Sequence, residues 1–574
     1  MRYKERMKQI EQEIVSAVSC DTLMDYTSNI SRWVRISSTP GEVESLGYVE
    51  GVLKGFGYET SMLRYCGFIS YPLDARVEVE GGKPLAMRAL AHCFTDSTPD
   101  EGITALVSDD PENCHGSMIL LDGLPNVQKI MEAKANGAAA VICVQDNYLH
   151  NMPVNPIWGS PTRETKRYLP GIPVVSVTRT DGGQIRRLME DGEVVLRLVS
   201  KVEMGWKEEL PILVADLPAP GSDKFVLLSC HIDSWDYGAM DNGTANATAM
   251  ECARLLAQHR GELVRGIRVA FWSGHSQGKF CGSSWYADTH FEELETCCVA
   301  HVNIDSTGGK GAVIIDEAPV MPQSRTLAAE VIREQTGEEF LGHRIGHFAD
   351  QSFFGVGLTS VFGTFSEQDP AGAGDSLSFK HGPTRRASGL GWWWHTEHDT
   401  IDKIDPLLLQ RDTRIYAGVL WRLMTDAALP FDLTAAVEEL REDVSALERK
   451  LGERFDFSAL HERIERLSGL CAGFQREMEE LEEPDDERAR RINEAVQKLA
   501  RCLVRIQFHG GNVYDFELGG TMAPIPALEA AEPLAMAERG SDEYYMLETR
   551  LVRGYNRVMH DLAEAIGILE RPAV

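Results

Sequence analysis

Three short apolar runs in this chain each stop on residues able to hold or activate a metal ion. Phe225-Val-Leu-Leu-Ser-Cys230 leads into His231-Ile-Asp233, Ile267-Arg-Val-Ala-Phe-Trp272 into Ser273-Gly-His275-Ser276, and Val299-Ala-His-Val-Asn-Ile304 into Asp305. Runs of this length, with helical patterns between them, read as strands of a parallel sheet covered on both faces. In an open α/β sheet the ligand site lies beyond the carboxyl ends of the strands. Residues far apart in sequence are expected to converge there. Two imidazoles and at least two carboxylates are the inventory of a divalent metal site.

A chain of 574 residues is too long for a single core. Residues 1–75 read as the N-terminal helical part of a catalytic domain. The helical pattern runs to about Leu63, with Val43, Leu46, Val49, Val52, Leu53 and Phe56 on one face. Residues 76–205 read as an insert, in which a helix from Val127 to Asn136 stops at Gly137 and feeds the strand Ala138–Cys143. Residues 206–430 alternate strands with helices, and residues 431–574 are helical. In this tail Val437, Leu440, Val444, Leu447 and Leu451 mark one helix, and Ile492, Leu499, Leu503 and Ile506 another. With Glu480–Asp486 as the turn between them, they are expected to form a hairpin, either a bundle within the chain or the surface of a homodimer. The expected fold class is α/β: a mostly parallel central sheet flanked by helices, with an inserted β-rich domain and a helical C-terminal domain.

A net charge of −30 argues against a nucleic-acid backbone or an anionic membrane as partner. The opening Met1–Ile10 is charged and lacks the apolar core of a secretory signal. No apolar segment is long enough to span a bilayer. The twelve cysteines are scattered without paired C-x-x-C spacing, which disfavours a thiolate metal site. The expectation is a cytoplasmic protein with free, mostly buried thiols.

At the end of its strand His231 can offer a neutral imidazole to a metal. Asp233 points the same way on an extended chain and can accept the other ring N–H. Asp241, in Gly238-Ala-Met-Asp241-Asn-Gly, reads either as a helix cap or as a ligand at the same end of the sheet. Asp305 ends an apolar strand, where an unpaired carboxylate is costly. His395 follows Trp392-Trp393-Trp394, either a rigid wall beside a ligand or a packed aromatic cluster.

His231-x-Asp233, Gly238-Ala-x-Asp241-Asn, Phe271-Trp-Ser-Gly274 and His395-Thr-x-x-Asp399-Thr-Ile-Asp402 resemble the zinc aminopeptidase family. That family also contains glutamate carboxypeptidase and the non-enzymatic transferrin receptor. Gly346-His-Phe-Ala-Asp350-Gln-Ser-Phe-Phe354-x-x-Gly357 looks like another segment of the same fold. The resemblance implies a zinc exopeptidase-like fold with a protease-associated insert and a dimerisation-like tail. It also implies a co-catalytic pair of zinc ions. His231 and Asp305 would hold one ion, Asp241 would bridge, and His395 would bind the second. A water between them would attack a carbonyl. The implied substrate is a small peptide or amide.

The pattern breaks at one place. The family has two adjacent glutamates after the strand ending here at Trp272, the first a general base and the second a metal ligand. This chain has His275-Ser276. His275 can replace the missing group as base or as metal ligand, with Asp233 as its catalytic companion. Serine is a poor zinc ligand, so a one-ion site of His231, Asp241 and Asp305 becomes an expectation. The other readings are a metal-stabilised binding protein without turnover and a site redirected to a non-peptide substrate or to elimination. The basic loop Lys380–Arg386 reads either as a clamp for a substrate carboxylate or as a solvated surface loop. His343 and His347 are expected to be structural.

Overall fold

The computed structural model describes residues 3–81, 86–369, 389–484 and 487–570. Its backbone is organised by two unusually long strands, Glu59–Val79 and Val195–Leu217, which pair antiparallel from Glu59↔Asp216 to Val79↔Leu196. This ribbon carries the chain out of one sheet region and back. At one end Val195–Leu217 pairs antiparallel with Gly266–Trp272. Beyond it Phe225–His231, Cys298–Asn303 and Ser360–Val361 follow in parallel register. At the other end Ile103–Ser108, Met118–Asp122, Ala140–Val144 and Val174–Val177 form a second parallel set, closed by Ala86–Ala91.

The first set is buried on both faces. Every residue of Phe225–His231 and Cys298–Asn303 is buried, as near-continuous apolar runs require in a covered parallel sheet. The helix Ala245–Ala257, almost wholly buried, and the helix Pro406–Thr425 pack in the same core as these strands. The latter starts where Asp405 accepts from the Leu407 and Leu408 N–H groups and Pro406 takes the first helical position, a cap that satisfies otherwise orphaned donors. All three parallel strands end at one rim, which sets their terminal residues side by side.

Two expectations are corrected. The N-terminal helices stop at Gly55, and Glu59–Leu63 begins the long strand instead; backbone pairing with Val195–Leu217 overrides the helical reading of that short stretch. In the tail, the helices Leu433–Leu451 and Glu487–Phe508 are present, but Ser458–Glu479 lies between them as a third helix. The turn after Glu480 therefore joins that helix, not the first, to the last of the three. Leu440 and Leu447 bury the inner face of the first tail helix. All twelve cysteines are free. No helix among the described residues is long and apolar enough to cross a membrane. The loop Lys380–Arg386 lies outside the described residues.

Candidate metal centre

The rim begins at His231, the last residue of its strand. The chain beyond it is held by Arg35, whose buried guanidinium donates to the carbonyls of Ile30, Trp33, Ile232, Tyr237 and Gly238. Burial lowers the Arg35 pKa to about 10, opposed by Asp399, Asp233 and Asp241. This staple shapes the turn that delivers Asp241. Gly238 is required in the turn: its φ is 50°, and a Cβ there would stand 2.2 Å from the Asp241 carbonyl oxygen. The carboxylate of Asp399 accepts from the Met240 and Asp241 N–H groups, each at 2.9 Å.

Asp241 sits between two imidazoles. Its Oδ1 is 3.1 Å from His231 Nε2 and its Oδ2 is 3.0 Å from His395 Nε2. Asp305 Oδ2 lies 3.9 Å from His231 Nε2. His275 stacks on His231, with ring centroids 3.7 Å apart and planes 12° from parallel. One ligand atom each from His231, His275 and Asp305 lies within 4.8 Å of the others. The sequence-predicted residues His231, Asp241, Asp305, His275 and His395 therefore meet at one place.

Three hydrogen bonds orient these rings. His231 Nδ1 donates to the Asp233 carbonyl at 2.9 Å, His275 Nδ1 to Asp350 Oδ2 at 2.8 Å, and His395 Nδ1 to the Asn151 carbonyl at 2.7 Å. Each acceptor can only accept, so each Nδ1 carries the hydrogen. In the neutral rings all three Nε2 atoms then present lone pairs, which is how metal-binding histidines are set. The role expected for Asp233 needs correction. Its backbone carbonyl, not its carboxylate, takes the His231 ring proton; the carboxylate is 3.7 Å from Nδ1. The turn beyond Trp272 competes for that carboxylate: it accepts from the N–H groups of His275 and Ser276 at 3.2 and 2.8 Å and from the Ser37 hydroxyl. Asp233 thereby fixes the backbone that carries His275.

His395 is held from outside the parallel sheet. Asn151 accepts from its ring, and the Asn151 N–H returns to the His395 carbonyl at 3.0 Å. This pair of bonds secures a left-handed backbone, φ 58°. His150 Nδ1 donates to the Trp394 carbonyl. Of the three tryptophans, Trp394 stacks on His395 and lines the cavity, Trp393 is buried, and Trp392 stacks on Tyr148.

The electrostatics call for a positive charge. Burial disfavours a proton on His231, yet the Asp241, Asp305 and Asp233 carboxylates raise its pKa to about 10. Burial raises Asp305, while the His231 and Asp241 charges act on it in opposite directions. Burial lowers His395 despite Asp241 beside it. His231 Nε2 is buried and makes no hydrogen bond of acceptable geometry. The carboxylates that pull a proton onto His231 pull equally on a metal cation, so imidazole and carboxylate donors here fit a divalent ion. Ser276 Oγ is likewise buried without a hydrogen-bond partner, and it supplies no carboxylate to a second ion.

A cavity of about 310 Å³ opens at the centre, lined by His275, Asp305 and His395 and walled by Phe280, Phe348 and Leu390. His343 lines its rim. His347 is buried, stacked on Phe354 and 3.9 Å from Glu517. Sequence reasoning assigned no role to Arg35, Asp350 and Asn151. Asp350 lay within a quoted motif, whereas Arg35 and Asn151 act through carbonyls and leave no side-chain pattern.

Residues 213–420 match the model of Peptidase family M28. The chain is similar to "Probable glutamate carboxypeptidase VP8" of Zea mays, 26% identical over 284 residues, 47% of this chain and 38% of that protein. With 41% of "Probable glutamate carboxypeptidase LAMP1" of Arabidopsis thaliana covered as well, the chain spans about two-fifths of the length of these curated relatives. Among solved structures, a Peptidase M28 precursor from Shewanella amazonensis superposes with a TM-score of 0.56 at 19% identity, covering 73% of this chain and 96% of that one. A zinc aminopeptidase from Bacillus subtilis gives 0.55 at 18% identity, over 72% and 97%. These two likenesses establish the fold.

Proposed function

We propose that the chain is a zinc-dependent hydrolase that cleaves a peptide or small amide bond, with His275 as a metal ligand in place of the family's glutamate. The observation that carries this reading is the convergence of His231, His275 and Asp305 donor atoms within 4.8 Å. The Peptidase family M28 match and the names of the relatives support the reaction class.

His231, His275 and Asp305 would hold one ion, with Asp241 beside it. A zinc ion so held supplies Lewis-acid polarisation of the scissile carbonyl and acidifies a water. The chain's own residues do the rest. Asp350 keeps the proton on His275 Nδ1 and so directs Nε2 into the centre. Asp233 anchors the backbone of His275 and Ser276. Asn151 fixes the His395 ring against Asp241. Phe280, Phe348, Leu390 and Trp394 exclude water and accept an apolar group.

In the same reading residues 76–205 are a protease-associated insert, since the segment holding Asn151 closes the site from that side. The C-terminal helices form a homodimer, which light scattering of the purified chain tests. The function is tested by incubating the zinc-loaded protein with peptides and acylated amino acids and weighing the products. Hydrolysis adds the mass of one water and stops in chelator. Zinc binding that stabilises the fold, without any product across the panel, would instead identify a binding protein.

A further inference from the structure

The cavity wall carries one cation that the proposed chemistry does not use. Lys279 lines the same cavity as His275, Asp305 and His395. It is only partly exposed. Among the described residues its ammonium has no carboxylate and no hydrogen-bond acceptor. Nζ lies over the face of Phe280, 5.0 Å from the ring centroid. The Phe280 ring in turn meets the His275 ring edge-on, at 4.8 Å. Burial alone acts on this ammonium and lowers its pKa to about 8.

Lys8, Lys54, Lys201, Lys403 and Lys450 each pair with a carboxylate at the surface, whereas Lys279 faces the cavity. An unpaired ammonium held in a largely apolar cavity loses hydration without compensation. A cation–π contact returns only part of it. The position gains its missing partner when an anion enters beside Phe280. The two ring contacts, 5.0 and 4.8 Å, keep Nζ less than about 10 Å from the His275 ring. An extended residue spans about 3.5 Å, so a carboxylate within about three residues of the bond cleaved comes into reach.

We propose that Lys279 is the specificity-determining residue of this cavity and binds a carboxylate of the substrate, which makes the preferred substrate an acidic or free-acid compound with an apolar group. The inference rests on the hydrolase reading for the word substrate, and its test does not need turnover.

Calorimetric titration of the zinc-loaded full chain with 3-phenylpropionate and 3-phenylpropionamide compares an acid with its neutral isostere. The acid is expected to bind about 10-fold or more tightly, the value of one charge-assisted contact. Because zinc itself prefers the acid, the decisive quantity is the change in the acid-to-amide ratio on substitution. Lys279→Met is expected to lower that ratio by about 10-fold, and Lys279→Arg to keep it within about three-fold. A ratio unchanged in Lys279→Met overturns the proposal, even if the protein hydrolyses peptides. A ratio that falls with Lys279→Met while no peptide or amide is cleaved upholds the carboxylate site and overturns the hydrolase reading. Circular dichroism of both variants confirms folding, since each keeps a long side chain at a partly exposed position.

Discussion

The imidazoles of His231 and His275 lie face to face, 3.7 Å between centroids and 12° from parallel. Two protonated rings at that separation repel, and two neutral ones present both Nε2 atoms to the carboxylate of Asp305. The arrangement is stable when a single cation is shared by the donors. Its oriented hydrogen bonds, from His231 to the Asp233 carbonyl and from His275 to Asp350, hold the rings in the tautomers that sharing requires.

Metal removal should therefore destabilise the protein as well as silence it. An ion that binds only the folded state adds about 2.7 kcal/mol at a hundredfold excess over its Kd. Scanning calorimetry with and without chelator is expected to show a drop in Tm that zinc restores. An unchanged Tm would contradict a seated ion.

Substitution at the divergent pair separates its two members. His275→Ala is expected to lower zinc affinity and turnover by about 100-fold or more, as loss of a ligand does. Asp350→Asn should cost about 10-fold, because it frees the ring without removing it. Ser276→Ala should change little, since its hydroxyl has no hydrogen-bond partner. Equal small effects for His275→Ala and Ser276→Ala would refute the ligand role.

Arg35 should be a stability hot spot. Its guanidinium satisfies five carbonyls on both sides of the site. Arg35→Leu leaves them buried and unpaired, at about 3–5 kcal/mol. Urea unfolding measures this loss. A change under about 1 kcal/mol would show that water replaces the staple.

Far from the metal centre, Asp426 sets a pH dependence. Burial raises its pKa from 3.8 to about 7, although Arg422 and Arg265 oppose the shift. Glu11 and Glu330 add to it. The folded state therefore holds a proton that the unfolded chain releases at lower pH. The associated stability is present below about pH 4 and is lost as pH rises through about 7. Asp426→Asn should flatten this decline and stabilise the protein at pH 8 by roughly 1–3 kcal/mol. Parallel stability curves for the two proteins would count against it.

Much of the centre was legible because buried parallel strands are written as continuous Val, Ile, Leu and Phe runs. A polar residue ending such a run stands out, as His231 and Asp305 do. Asp241 and His395 were legible through local motifs. Arg35 and Asn151 were not, since bonds to carbonyls impose no complementary residue on the partner. The wrong acceptor for the His231 ring proton has the same origin. The spacing to Asp233 is right, but both its carbonyl and its carboxylate lie within reach, and the turn at His275 and Ser276 claims the carboxylate. The long ribbon from Glu59 was hidden because its residues are half-exposed and mixed in character, so pairing with Val195–Leu217 decides their conformation.

An anomalous-difference map from crystals of the full chain grown with zinc tests the central claim most directly. The account predicts one strong peak about 2.0–2.2 Å from His231 Nε2, His275 Nε2 and an Asp305 oxygen. A map empty at that point, or a peak held by other side chains with His275 turned away, would contradict it.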